Sequence, residues 1–459
     1  MAVQTGALPL EKLAEDFGGE LLEPGEAAYD AARQIYNSMI DRRPALIARP
    51  TGTADVIAAV NFAHESGQPI AVRSGGHSVA GHCLPEGGVL LDLSLLKGVH
   101  VDPKRGTARA AGGVLWGEYD RETQQFGLHT PGGRATTAGV GGFTTGGGYG
   151  WTSPKFGLTC DNLVSAEVVT ADGRLLTASE TENEDLFWGI RGGGGNFGVV
   201  TSFEFRVHPL GPIILAGLLI FPLEKGEEAF AAYRQILEGA PDELGTAAVQ
   251  LLAPPEEFVP PEVVGKPVLG FAISYAGDAE EGARVIAPLK AVGPAVDLVG
   301  PMPYRTFQAM LDPMSPPGWR NYWRGLHLKG LSDELIETYL TITPEGLAPM
   351  SVFLLFQHGG AVSRVPGDAT AFSHRDATFM AHPIACWQDP ADDERHLAWV
   401  NDVTDAMEPF ATGGVYLNFM ADEDRVEAGY GAGKYQRLVE LKRKYDPDNV
   451  FRFNQNIAP

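Results

Sequence analysis

Gly139-Val140-Gly141-Gly142-Phe143-Thr144-Thr145-Gly146-Gly147-Gly148-Tyr149-Gly150 carries seven glycines in twelve residues. The stretch reads as too glycine-rich for a stable helix or a packed strand, because each glycine loses the most backbone freedom on folding and buries no side chain. Its use is backbone that can lie close to something large and flat. Two more segments share the texture. Arg73-Ser74-Gly75-Gly76-His77-Ser78 ends an apolar run, and Gly192-Gly193-Gly194-Gly195-Asn196-Phe197-Gly198 follows a helical one. Fifteen glycines fall between Gly139 and Gly198, out of 57 in 459 residues. The three segments are read as shaped for one extended ligand.

Gly193 to Gly198 spells G-x-G-x-x-G. In a dinucleotide fold that pattern follows a strand and opens a helix, whose N-terminus takes the phosphates. Here the order is reversed, so that reading is rejected; a Walker A pattern is absent as well. In RSGGHS, adjacent glycines let consecutive N–H groups point into one concavity suited to a pyrophosphate, with Ser74 and Ser78 as added donors. An ordinary tight turn is the alternative.

Outward from these loops, RPALIARP (43–50), TGTADVIAAVNFAHESG (51–67) and QPIAVRSGG (68–76) predict strand, helix and strand, with Thr51 or Thr53 as cap and Gly67 as the stop. A helix is also predicted within residues 10–40, over GEAAYDAARQIYNSMI. LVSAEVVTADGRLLTAS (163–179) is a hairpin turning at Asp172-Gly173, NEDLFWGIR a short helix capped by Asn183, and VVTSFEFRVHPL (199–210) a strand. Pro209 to Pro212 marks a boundary, after which helices alternate with strands to about residue 410. The tail from Lys434 is a helix and then an extended segment. The fold class is α+β.

Acidic residues outnumber basic ones 58 to 35, giving a net charge of −23. That argues against nucleic acid and against anionic membrane surfaces as partners. Cys83, Cys160 and Cys386 form no C-x-x-C and no disulfide framework. The opening MAVQTGALPLEKLAEDF has no signal-peptide pattern, so a cytoplasmic location is expected. The histidines lack metal-ligand spacing, so no metal is expected.

Taken in order, RPTGTADVIAAVNFA, RSGGHSVAG, TTAGVGGFTTGGGYGWTSPKFGLTCDNLVSAEVVTADGRLL, ENEDLFWGIRGGGGNFGVVTSFEFRVHP and KYDPDNVFRFNQNI resemble the FAD-linked oxidases of the vanillyl-alcohol oxidase and p-cresol methylhydroxylase fold, specifically the berberine bridge enzyme-like group. The likeness covers about residues 43–212 and 415–459 and is looser between. It implies a two-domain fold: an FAD domain (1–212, completed by 430–459) and a substrate domain with an antiparallel sheet (213–429), the berberine bridge enzyme-like segment being 415–459. It implies FAD joined covalently to His77. The position of the cysteine that makes a second bond in some members is Ala135 here, so a single link is expected. Cofactor contacts are expected from Arg73, Ser74, Gly75, Gly76, Ser78, Thr137, Ala138, Gly139, Gly142, Gly146, Gly148, Asn162, Gly195, Gly198, Val199, Asn454 and Asn456.

The resemblance further implies hydride transfer from an alcohol, sugar or amine carbon to flavin N5, with oxygen as the second substrate and hydrogen peroxide as product. Ala138, at the family's oxygen-gating position, is small. Tyr416 is assigned as base or orienting hydroxyl, with Asn418 on the same face of a strand; as a base, the phenol needs a lowered pKa. A core tyrosine is the alternative. Tyr322, Trp323 and His374 are weaker substrate-pocket candidates, and Arg375 is read as a structural ion-pair partner. Other readings are a dehydrogenase or oxidative cyclase with a different acceptor, and a non-catalytic flavin-binding protein. The substrate and the oligomeric state are not legible.

Overall fold

Leu46–Arg49 and Ile70–Arg73 flank Val89–Asp92 as parallel neighbours, and the helix Thr53–Glu65 joins the first two. A short strand, Glu20–Leu22, closes the edge antiparallel. The computed structural model describes residues 10–314, 316–344, 346–421 and 425–459. The helix buries Val56, Ala59, Val60 and Ala63 against Leu46, Ala48, Val89 and Leu91. Gly52 occupies its N-cap position, while the Thr51 amide and hydroxyl donate to the Asp55 carboxylate.

A second sheet is antiparallel, ordered Val99–Asp102, Thr107–Ala111, Val199–Arg206, Leu163–Val169 and Leu175–Ser179. The third has ten strands, all antiparallel. Its path runs from Val296–Asp297 through Ile213–Pro222, Pro267–Tyr275, Leu244–Leu252, Val352–Gln357, Phe379–Trp387 and Leu326–Leu328 to Ala411–Val415. Gly300–Pro303 and Arg320–Trp323 pair at its flanks. The helices Gly226–Glu238, Asp333–Thr341 and Asp393–Met407 belong to the same stretch of chain. After it the chain returns to the first sheet: helix Ala432–Tyr445 leads to Val450 and Phe451, which share the core of the parallel strands. Buried Lys442 fixes that return, donating to the Asp446 carboxylate at 2.6 Å and to the carbonyls of Asn196 and Phe451.

Local expectations fail where a long-range contact outbids local propensity. The helix over Gly25–Ile40 shrinks to Tyr29–Ala32. Beyond it, the Asn37 side chain donates to the carbonyls of Val79 and Asn321, and the Tyr36 amide donates to Gly76. The glycine-dense stretch is not free of helix either: Val140–Thr145 forms one short turn. Buried Val140 anchors it, and the hydroxyls of Thr144 and Thr145 bond back to the carbonyls of Val140 and Gly141. Asn183 stands at the helix start but caps nothing; its side chain donates to the Thr177 carbonyl. Tyr416 and Asn418 do not alternate along a strand, because the strand ends at Val415 and Leu417–Phe419 is a 3₁₀ turn.

Candidate active site

The glycine segments and the ten-stranded sheet face each other across one cavity of about 1290 Å³. One wall is backbone. The chains at Gly75 and Gly139 touch so closely that a Cβ at Gly75 would stand 2.2 Å from the Gly139 nitrogen, and the reverse holds too. Ser74 locks the contact, donating to the Gly112 carbonyl at 2.7 Å. Gly142 and Gly195 differ in kind: both line the cavity, and a Cβ on either would meet nothing within 4 Å. Protein packing does not demand glycine there, so the room is left for a ligand. The C-terminal segment adds Phe451, Phe453, Asn454 and Gln455. The Asn454 amide donates to the Gly195 carbonyl at 3.1 Å, and its buried Oδ1 has no partner in the protein. Open glycine positions and an orphaned acceptor fit an extended polar cofactor such as FAD.

His77 lines the same cavity. Its ring stacks on Tyr36 at 4.3 Å, and Nε2 lies 2.9 Å from the Thr137 hydroxyl. Burial pushes its pKa down to about 4, so the ring is neutral at neutral pH.

The cavity therefore gathers Ser74, Gly75, Gly76, His77, Ser78, Ala138, Gly139, Gly142, Gly146, Gly195, Gly198, Val199, Asn418, Asn454 and Trp323. The rest stand behind it. Arg73 stays outside the lining, with its guanidinium committed to Asp92 at 2.7 and 3.1 Å and to the Gln34 carbonyl. Asn162 pins the turn below the cleft, donating to the carbonyls of Phe156 and Leu158. Gly148 faces Thr159, and Asn456 and Thr137 stay outside the lining. His374 turns away to the Ala428 carbonyl at 2.9 Å, and the Tyr322 hydroxyl donates to Asn401. Arg375 makes a paired contact with Asp161, at 2.6 and 3.0 Å.

Tyr416 is buried just behind the lining. Its hydroxyl oxygen accepts from the Gly148 amide at 3.1 Å and from Asn418 Nδ2 at 3.0 Å. Asn418 in turn reaches the cavity and also donates to the Phe143 carbonyl. Burial pushes the Tyr416 phenol up to about 12, the opposite of what a base requires.

The opposite wall is apolar, with Leu218, Ile220, Val249, Leu251, Val352, Leu354, Phe356 and Ile384 supplied by strands. Two polar side chains there escaped the sequence reading. His382 stacks on Phe419 at 3.7 Å and donates from Nδ1 to the Arg324 carbonyl at 2.7 Å. A carbonyl can only accept, so in the neutral ring Nε2 keeps its lone pair. Arg134 lies in the cavity with three aromatic rings around its guanidinium. Neither carries a motif; only the position of Arg134 inside the glycine-rich stretch was a clue.

An FAD binding domain matches residues 44–179, and a berberine and berberine-like domain matches residues 415–458. An FAD-linked oxidoreductase of Dictyostelium discoideum is 31% identical over 98% of this chain and 97% of its own. The (R)-6-hydroxynicotine oxidase of Paenarthrobacter nicotinovorans is 30% identical, over 96% and 97%. The solved 6-hydroxy-D-nicotine oxidase of Arthrobacter nicotinovorans superposes with a TM-score of 0.87 at 27% identity, covering all of both chains. The xylooligosaccharide oxidase of Myceliophthora thermophila gives 0.86 at 25%, over 99% of each. The chain belongs to the berberine bridge enzyme-like FAD-linked oxidoreductases, and its fold is that of the vanillyl-alcohol oxidase and p-cresol methylhydroxylase enzymes. Among the described residues no helix is long and apolar enough to cross a membrane, and no three His, Cys, Asp or Glu gather as a metal site.

Proposed function

We propose that the protein is an oxidase that takes a hydride from an alcohol or amine carbon of a substrate with an apolar body. The FAD side is residues 1–212 with 430–459, and the substrate side is 213–429. The observation that carries this reading is the cavity between a backbone wall and an apolar wall. FAD held there would supply the hydride acceptor at flavin N5 and, with oxygen as the oxidant, hydrogen peroxide as the product. His77, neutral and at the cavity surface, is the single covalent tether. Ala138 lines the cavity without bulk, which favours access of oxygen.

The chain's own residues divide the remaining work. Strand residues orient the substrate by shape. The unprotonated Nε2 of His382 accepts a hydrogen bond from the substrate O–H or N–H. Asn418, braced by Tyr416, fixes the polar edge of the site. A sugar fits this wall poorly, because each of its buried hydroxyls would need a partner that the strands do not offer. The oxidases of 6-hydroxynicotine among the relatives are consistent with an amine donor.

The experiment is a screen of apolar alcohols and amines against the yellow holoenzyme. A donor should bleach the flavin without air, and air should restore the colour with stoichiometric peroxide. Flavin that stays reduced for minutes in air would turn the reading to a dehydrogenase. For the tether, acid-precipitated protein should retain its flavin, and His77→Ala should release it.

A further inference from the structure

Arg134 is nine-tenths buried, at 9% exposure, yet it has no counter-ion. Its guanidinium carbon stands 3.9 Å from the ring centre of Phe356, 4.6 Å from Trp151 and 5.1 Å from Tyr149. Among the described residues it makes no hydrogen bond or ion pair, and its buried Nε is unpartnered. Buried arginines are ordinarily paired, as Arg73 is with Asp92 and Arg375 with Asp161. The aromatic faces around Arg134 attract the cation but accept no N–H in the plane of the fork. The carboxylate that lines the same cavity, Glu256, sits exposed. Burial lowers the Arg134 pKa to about 10, which leaves it charged at neutral pH.

We propose that Arg134 is the specificity residue of the site and that the substrate carries a carboxylate on an apolar or aromatic body, held by this guanidinium. The inference rests on the oxidase reading above and names the substrate class for it. A carboxylate matches the planar fork with two parallel hydrogen bonds. One cation, with no second charged side chain of its sign among the described residues lining the cavity beside the apolar wall, suits one negative charge, whereas a phosphate dianion would need more. The direction of the side chain also matters. Arg134 starts in the glycine-rich stretch, but Phe356 belongs to a strand of the ten-stranded sheet, so the charge is presented at the apolar wall. His382 lies near enough for Arg134 to help depress its pKa. The anion and the hydrogen-bond acceptor thus sit on neighbouring parts of one surface.

The test is binding to the holoenzyme, read by flavin absorbance and by tryptophan fluorescence, since Trp151 touches the guanidinium. The probes are 3-phenylpropionate and its neutral amide, with benzoate and benzamide as a shorter pair. The carboxylates should bind at least tenfold more tightly than the amides. Arg134→Gln should abolish that preference and Arg134→Lys should keep part of it. Equal binding of acid and amide to the native enzyme overturns the proposal, whether or not a variant folds. A preference that survives in Arg134→Gln overturns it too. So does a variant whose flavin content or spectrum changes while its ligand preference does not, because Arg134 would then serve the cofactor. Carboxylates that bind without any peroxide from their alcohol or amine analogues would sink the oxidase reading and leave Arg134 standing. Peroxide from neutral donors with no carboxylate preference would do the reverse.

Discussion

The two walls of the cleft are built by opposite means. The cofactor wall is mostly backbone, with Gly75 packed on Gly139 and open positions at Gly142 and Gly195. The substrate wall is side chain: aliphatic strand residues, Phe356, His382 and the unpaired Arg134. Charged and polar side chains that brace the first wall, such as Arg73, Ser74 and Asn162, have protein partners. Arg134, on the second wall, has none. Backbone can be shared by every enzyme that holds the same cofactor, whereas side-chain chemistry left unpaired is where substrates differ.

The largest expected effect on stability comes from acid, because imidazoles on and around the cleft are held neutral by burial. Burial holds His77 and His208 near about 4 and His129, His358 and His382 near about 3. These folded values lie below the ordinary histidine value, so the unfolded chain takes up protons first as the pH falls below about 6.5. The stability is complete above that value and is lost on the way down towards the folded pKa values. Each histidine adds a slope of up to about 1.4 kcal/mol per pH unit. Urea midpoints should fall steeply between pH 7 and pH 5. A flat profile there would mean that the rings are hydrated and the cleft is wetter than its packing implies.

The joint between the walls comes next. Asp161 lies on the cofactor side, Arg375 on the substrate side, with side chains 8% and 5% exposed. Removing one partner leaves the other as a buried lone charge, so Asp161→Ala should cost about 3–5 kcal/mol. Replacing both residues with apolar ones should cost less, and a double-mutant cycle by chemical denaturation checks the difference. Equal losses would show that the pair contributes only packing.

Two glycines then separate the two reasons for being glycine. Gly139→Ala drives a methyl into the backbone of Gly75 and should lose about 1–3 kcal/mol even without cofactor. Gly142→Ala should leave the apoprotein's thermal midpoint unchanged or slightly raised, since the position is helical, and lower its FAD content, because the methyl enters space meant for ligand. If both variants behave alike, the open position at Gly142 has no bearing on the cofactor.

That contrast explains what was legible in the chain. Close backbone approach admits one residue type, so the glycines advertise the cofactor wall, and the ordered motifs around His77 and Gly198 point to the fold. The substrate wall needs only volume and alternation, which Val249 or Leu354 share with any core strand. Arg134 gives no signal until the fold places Phe356 and Trp151 against it and no acid beside it. His382 is equally silent, since its tautomer is set by the Arg324 carbonyl, 58 residues away in sequence. The short helix at Val140–Thr145 was hidden by the glycines that revealed its neighbourhood.

The smallest effect is the one that settles what Tyr416 does. It sits where the walls meet, behind the lining, and its oxygen accepts from Gly148 on one side and Asn418 on the other. A base contributes about 10²–10⁴-fold to a rate, and a phenol pushed up to about 12 is poorly placed for that task. An orienting hydroxyl is worth about 1 kcal/mol, the usual net value of one hydrogen bond. Tyr416→Phe should therefore lower kcat by less than about tenfold, with the pH profile of kcat unmoved and with Asn418→Ala adding little more. A hundredfold loss together with a vanished limb of the pH profile would restore the phenol as the base. In that case the substrate wall alone would no longer account for the proton, and the division of labour between the two walls would have to be redrawn.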